Sequence, residues 1–108
     1  MDRDKFEKVY KEFEEMERNL LLTKRSEYAK DEDCLINFKT TASQLGVTPE
    51  EVCLVFLMKH TQAVAKAAMK SDTRLGWGGT GSIEGFSQRI SDARNYLILL
   101  AALIKERE

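Results

Sequence analysis

The sequence predicts an all-α fold: a four-helix, bundle-like domain with a glycine-rich loop before the last helix. Three observations predict this class. Apolar residues recur at helical spacings of three and four, no stretch alternates as a half-buried strand does, and the 108 residues contain one proline. A chain of this length is expected to form one domain, residues 1–108, around a single core.

Composition and charge exclude several classes of function. The formal net charge is −1, with lysines and arginines scattered among acids, which predicts no binding of DNA or RNA. The charged start does not resemble a signal or transit sequence, and the longest apolar run, residues 52–58, is too short to cross a bilayer. Cys34 and Cys53 lack CxxC spacing and are expected to be reduced thiols, with Cys53 buried. These features predict a cytoplasmic protein without a membrane partner.

The first two helices are predicted from apolar periodicity. The first covers residues 2–22, with a buried stripe of Phe6, Val9, Tyr10, Phe13, Met16, Leu20 and Leu21. Residues 23–33 break this pattern and are expected to carry side chains to the edge of a cleft. A second helix, from about residue 32 to residue 45, is predicted to turn Leu35, Phe38, Ala42 and Leu45 inward. Gly46 stands where a left-handed residue ends a helix.

The third helix has a specific start signal. Thr48 is a good N-cap, Pro49 suits the first helical position, and Glu51 completes a capping box. Residues 52–58 are apolar on every side, which places this end in the middle of the bundle or under a second subunit. Lys59 and His60 then interrupt the apolar run, and small alanines follow at helical spacing.

The prediction of function depends mainly on the last helix, residues 83–108. The glycine-rich loop, residues 76–81, leads into Ser82, which is expected to be its N-cap. Packing is predicted through a stripe at alternating spacings of four and three: Phe86, Ile90, Ala93, Leu97, Leu100 and Ile104. Gln88, Asp92 and Asn95 form a polar column beside that stripe. The column is either one wall of a polar pocket or a solvated or subunit-facing flank.

Two further features could bind an anion beside this column. Backbone N–H groups of a glycine-rich turn before a helix attract anions, Arg74 adds a charge, and Trp77 offers a flat surface for a base. The alternative is a simple hairpin between helices, with Trp77 folded onto the bundle. Because Lys59 lies in an otherwise apolar helix, its ammonium is expected to pair with an anion, which is either Asp92 or a ligand phosphate. His60 is a ligand contact or a hydrogen-bonded core residue.

Metal-dependent and nucleophilic catalysis are not predicted. Asp92 is the only carboxylate of its column, and Arg89, three residues before it, would repel a metal. Glutamate pairs with ligand spacing occur on the first helix, but on its predicted solvated face: Glu12, Glu14, Glu15 and Glu17. With one histidine, no CxxC and no Gly-x-Ser-x-Gly, neither a zinc site nor a nucleophilic triad is indicated.

A set of short motifs resembles a group of small, uncharacterised bacteriophage proteins: Lys24-x-x-Glu27-Tyr28, Asn37-Phe38, Lys59-His60 and Asp92-x-x-Asn95-Tyr96-Leu97. The likeness covers most of residues 20–105. More distantly, the helix order and the last motif are similar to the all-α nucleoside triphosphate pyrophosphohydrolases of MazG type. Those enzymes hold magnesium against a triphosphate with Glu-x-x-Glu and Glu-x-x-Asp, and this chain has no Glu-x-x-Asp.

The resemblance implies a nucleotide pocket with a depleted metal centre. The resulting prediction is a phage-encoded nucleotide-binding protein without turnover, a homo-oligomer that sequesters a nucleotide immune signal in the cytoplasm of an infected bacterium. No catalytic residue, metal ligand or cofactor is predicted. The pocket is expected to be lined by Lys24, Tyr28, Lys59, His60, Arg74, Trp77, Gln88, Arg89, Asp92, Asn95 and Tyr96. The alternatives are a magnesium-dependent pyrophosphohydrolase of MazG-like type, with Asp92 and first-helix glutamates as ligands, and a structural or protein-interaction bundle.

Overall fold

A computed structural model describes residues 1–24, 33–69 and 76–108, with the side chain of Lys24 outside that description. These residues form four α-helices: α1 (Arg3–Arg18), α2 (Ile36–Leu45), α3 (Pro49–Met69) and α4 (Phe86–Glu106). The described ranges contain no strand, only an isolated bridge between Thr80 and Ile83. The all-α prediction is confirmed. The chain divides into two compact units, Met1–Cys34 and Leu35–Glu108.

In its described residues, the first unit contains α1 and a π-helical segment, Asn19–Lys24. Asp2 caps α1, because its carboxylate accepts a hydrogen bond from the N–H of Lys5 at 2.9 Å. The predicted buried stripe is largely wrong: Phe13 is buried, but Phe6 and Tyr10 are each more than half exposed. Among the described residues of this unit, no second α-helix is present to cover the stripe.

The second unit begins with α2, which starts at Ile36, and the predicted start at residue 32 lies outside the described residues. Three of the predicted inward side chains, Leu35, Phe38 and Ala42, are buried. Leu45 is 68% exposed, so that part of the prediction is wrong. The helix ends at Leu45, and Gly46 reverses the chain with a φ of 71°, as its position predicted.

The N-terminus of α3 matches its sequence signal. The hydroxyl of Thr48 accepts a hydrogen bond from the N–H of Glu51 at 3.1 Å, and the carboxylate of Glu51 accepts one from the N–H of Thr48 at 3.2 Å. Pro49 is the first helical residue. These reciprocal bonds confirm the predicted capping box, which satisfies amides that a bare helix end leaves unpaired.

α3 packs against both α2 and α4. Cys53 is fully buried, as predicted, and its thiol donates a hydrogen bond to the carbonyl of Tyr96 at 3.4 Å. Only one side of the apolar run is covered, because Val55 and Met58 are each more than half exposed. Placing the whole run in the middle of the bundle was therefore wrong, whereas cover by a second subunit stays a prediction.

α4 starts three residues later than predicted, at Phe86, with Gly85 rather than Ser82 as its N-cap. Thr80 and Ile83 exchange two backbone hydrogen bonds, at 3.1 Å and 2.8 Å. This tight turn includes Ser82 and keeps Ile83 out of the helix. The predicted N-cap was therefore wrong because a turn formed within the loop competes with helical hydrogen bonding at these residues.

α4 also packs through a different face from the one predicted. Its buried side chains recur every four residues: Ser87, Ser91, Asn95, Leu99 and Leu103. At 100° per residue this row lies opposite the predicted apolar stripe, in which Leu97 is 52% exposed and Ile104 is 45% exposed. None of the described helices is long and apolar enough to cross a membrane.

Candidate functional site

The glycine-rich loop is docked onto the first turn of α4. The carbonyl of Gly76 accepts a hydrogen bond from the N–H of Phe86 at 3.1 Å. The carbonyl of Trp77 accepts two from Ser87, from its N–H at 3.0 Å and from its hydroxyl at 2.7 Å. N–H groups at a helix start are the donors that would bind an anion. Two of them are already used within the chain, which weakens the case for a phosphate cradle here.

Gln88 holds this loop in place. Its side-chain oxygen accepts a hydrogen bond from the N–H of Gly85, and its side-chain nitrogen donates one to the carbonyl of Gly78 at 3.2 Å. Both ends of the amide are thus engaged within the chain, so the structure gives Gln88 a positioning role that sequence reasoning missed. The spacing of three residues from an N-cap to a glutamine is a capping-box signal that could have indicated it.

The centre of the candidate site is the His60–Asp92 cluster, which we define as Phe56, His60, Asp92 and Tyr96. His60 Nδ1 lies 3.8 Å from Asp92 Oδ2, and both side chains are half-buried. The His60 ring stacks on Tyr96 with 5.1 Å between ring centroids, and Phe56 stacks on the same ring at 5.7 Å. Tyr96 therefore packs α4 against α3, and its contacts with Phe56 and His60 compete with stacking on a ligand base.

Asp92 is the most perturbed titratable group of this cluster. Burial raises the pKa of its carboxyl above the usual 3.8; the nearby charge of His60 lowers it, and that of Glu84 raises it further. The net direction is upward. Loss of hydration therefore outweighs the attraction to His60. From the sequence, Asp92 was one candidate for the anion that pairs with Lys59. In the structure, the α3 residue next to the Asp92 carboxylate is His60 instead.

Replacing Asp92 with asparagine is expected to raise the free energy of unfolding at pH 7, by less than about 1 kcal/mol. A carboxyl with a raised pKa in the folded state stabilises the fold below its unfolded pKa, and that contribution is lost as pH rises through the folded pKa. The gain should therefore vanish below about pH 4. Urea denaturation from pH 3 to pH 8 measures it, with Asp4→Asn on exposed α1 as the control. A less stable Asp92→Asn variant at pH 7 would show that the contact with His60 outweighs burial.

Two polar groups on α4, near this cluster in sequence, are buried without a hydrogen-bond partner among the described residues. Asn95 is 2% exposed, and neither its side-chain oxygen nor its nitrogen has a partner. The Nε of Arg89 is likewise buried and unpaired. An unsatisfied buried polar group costs about 1–3 kcal/mol, so these groups call for water or a ligand. Arg89, Asp92 and Tyr96 share one side of α4 at spacings of three and four.

The remaining predicted site residues are not brought into this cluster. Lys59 is exposed, and Trp77 lies in the loop with 46% of its surface exposed. Tyr28, Arg74 and the side chain of Lys24 lie outside the described residues. Across residues 1–24, 33–69 and 76–108, no group of three or more His, Cys, Asp or Glu side chains is arranged to hold a metal ion.

The described residues thus define an all-α protein with a half-buried polar cluster between two 21-residue helices, α3 and α4. Comparisons with protein-family models, curated proteins and solved structures found no match. The likeness to small phage proteins and to MazG-type enzymes therefore stays a prediction, and function has to be argued from the geometry.

Proposed function

We propose that this chain binds a nucleotide or a related phosphate-bearing small molecule without turning it over, next to the His60–Asp92 cluster. The observation that carries the proposal is the amide of Asn95, which is 2% exposed and has no partner for either polar atom among the described residues. A side-chain amide offers both an acceptor and donors. That pairing is complementary to the edge of a nucleobase.

The cationic side chains Lys59 of α3 and Arg89 of α4 favour an anionic ligand. Neither Lys59 nor Arg89 forms an ion pair within the described part of the chain, whereas the acid Asp92 faces His60. Arginine and lysine are the usual partners of phosphate, and a phosphate oxygen is the acceptor that the buried Nε of Arg89 lacks. An anion bound here would therefore satisfy groups that the fold itself leaves unpaired.

Binding without turnover is supported by the side chains around Asp92. Hydrolysis of a triphosphate by magnesium requires several converging carboxylates. At helical spacing from Asp92 stand Gln88, which is engaged with the loop, and Arg89, which is cationic. In the phage setting that the sequence resemblance implies, we propose that the ligand is a nucleotide signal of host immunity, sequestered in the cytoplasm of the infected bacterium.

Isothermal titration calorimetry tests this proposal with cyclic dinucleotides, ADP-ribose derivatives and deoxynucleoside triphosphates, each with and without magnesium. The expected result is stoichiometric binding of one class that does not require magnesium, with the ligand recovered intact by chromatography. Turnover that EDTA abolishes would instead establish the pyrophosphohydrolase. Failure of all three ligand classes to bind would overturn the proposal.

Two substitutions test whether the ligand binds at this site. Lys59→Ala and Asn95→Ala are each expected to weaken binding about tenfold or more, equivalent to about 1.4 kcal/mol. Helical circular dichroism should not change, because neither side chain has a hydrogen-bond or ion-pair partner in the described chain. Lys105→Ala removes the same charge from the far end of α4, where Lys105 is 80% exposed, and is the matched control. If both variants bind as tightly as the control, the site lies elsewhere.

A protein-interaction bundle is the second candidate, and one observation favours it. Leu97 and Ile104, on the side of α4 opposite its buried row, are each about half exposed. On α3, Val55 and Met58 are each more than half exposed. Large exposed apolar surfaces often mark interfaces between proteins. We propose that these exposed apolar side chains support a homo-oligomer. Sedimentation equilibrium of the wild-type chain should then give a mass above that of one chain, and a monomer at all concentrations would contradict self-association.

A further inference from the structure

A second group of charged side chains converges on a cleft where the first turn of α3 lies near the end of α4. The cleft has a volume of about 340 Å³. This is near the lower end of the range for small-molecule sites. Its lining includes Lys39 from α2, Pro49 and Glu50 from α3, and Leu103, Glu106 and Arg107 from the end of α4. It shares no residue with the His60–Asp92 cluster.

Two ion pairs cross this cleft. Lys39 Nζ lies 2.7 Å from Glu106 Oε1, and Arg107 Nε lies 3.5 Å from Glu50 Oε1. The two pairs differ in depth. The side chain of Glu50 is 12% exposed, whereas that of Arg107 is 64% exposed. An acid therefore lies deep in the cleft, and a guanidinium lies at its rim.

The second oxygen of Glu50 is the unexplained group. Glu50 Oε2 is buried and has no hydrogen-bond partner among the described residues. A carboxylate accepts several hydrogen bonds. Burying a charged oxygen without a hydrogen-bond partner costs more free energy than burying a neutral oxygen in the same way. The neighbouring Pro49 and the buried Leu103 have no side-chain donor to offer. The hydroxyl of Thr48, which also lines the cleft, donates to Glu51 instead, so the donor for Glu50 Oε2 is either water or a molecule that enters the cleft.

We propose that this cleft binds a small zwitterion of the amino-acid class. Its ammonium group would donate to Glu50 Oε2, and its carboxylate would meet the guanidinium of Arg107 at the rim. The two cations and two anions of the lining cancel, so a ligand with a net charge would leave an excess, and a zwitterion adds no net charge while it supplies both a charged donor and a charged acceptor. An ammonium has three donors for the buried oxygen, and a guanidinium can bind a carboxylate through two parallel hydrogen bonds.

Nuclear magnetic resonance titration of the full ¹⁵N-labelled chain tests this site. Glycine and L-alanine are the zwitterionic probes, and methylamine and acetate each carry one of the two charges. We expect glycine and alanine to cause saturable amide shifts at millimolar concentration in residues 48, 50 and 103–107, with methylamine and acetate at least tenfold weaker. Equal binding of methylamine would overturn the zwitterion assignment. The absence of saturable shifts with glycine and alanine would overturn the site.

Variants check that Glu50 and Arg107 bind the ligand. Glu50→Gln keeps the shape of the side chain and removes its charge, and is expected to weaken glycine binding at least tenfold. Arg107→Ala acts at the exposed rim and should weaken glycine binding by a similar factor. Glu84→Gln, which is exposed and outside the cleft, is the matched control. Unchanged glycine binding in both cleft variants would rule out the assignment, whether or not nucleotides bind at the His60–Asp92 cluster.

Discussion

Gly85→Ala is expected to detach the glycine-rich loop from α4 and to lower the free energy of unfolding by about 2–3 kcal/mol. A Cβ at this position would lie 2.2 Å from the nitrogen of Gly79, 2.5 Å from the carbonyl oxygen of Trp77 and 2.6 Å from that of Gly76. All three are backbone atoms, so no rotation of a side chain can relieve the clash. The loop would have to move, and with it the carbonyls that cap Phe86 and Ser87.

Chemical denaturation measures this loss, and fluorescence reports the loop directly because the only tryptophan, Trp77, lies within it. Gly78→Ala is the matched control. A Cβ there meets no atom within 4 Å, and the backbone of Gly78 is not in the left-handed region. Its effect should stay within about 0.5 kcal/mol. Equal losses in the two variants would mean that the loop is not packed against α4 as described.

Leu103→Ala is expected to lower the free energy of unfolding by about 3 kcal/mol, because it leaves a cavity in the most tightly covered part of α4. Leu103 is 2% exposed. Leu45→Ala removes the same atoms from a side chain that is 68% exposed and should cost well under 1 kcal/mol. Urea denaturation of both variants measures the difference.

This pair of variants also tests the packing faces of two helices. The sequence placed Leu45 in the core and omitted Leu103 from the stripe through which the last helix was expected to pack. A larger loss for Leu45→Ala than for Leu103→Ala would restore the sequence-based assignment and contradict the buried row that ends at Leu103. The expected order is the reverse.

Local signals explain what could be predicted of the fold. The capping box of Thr48 and Glu51 and the left-handed Gly46 act through atoms within a few residues, so they are visible in the sequence and recur in the structure. The turn between Thr80 and Ile83 is also local, but it competes with a plausible N-cap at Ser82. Spacing alone could not decide between those two uses of the same residues.

The candidate site was predictable only in part. Arg89, Asp92 and Tyr96 share a side of one helix because of their spacing, but the sequence prediction grouped Asp92 with Gln88 and Asn95 in a polar column instead. Which residues of α3 face them depends on how two helices pack, and the structure selects His60 and Phe56 while leaving Lys59 exposed. The engagement of Gln88 with the loop depends in the same way on where the loop docks.

The sequence by itself determined the helical class, the C-terminal end of α2, the N-terminal start of α3 and the residue types available for binding, because these follow from periodicity and from local hydrogen bonds. The tertiary structure decided which face of α4 is buried. Both sides of that helix carry apolar residues, and the side that packs includes Ser87, Ser91 and Asn95. Periodicity alone cannot choose between the two sides, because the burial of Ser87 depends on where the loop docks and the burial of the rest of the row depends on how α4 packs against α3.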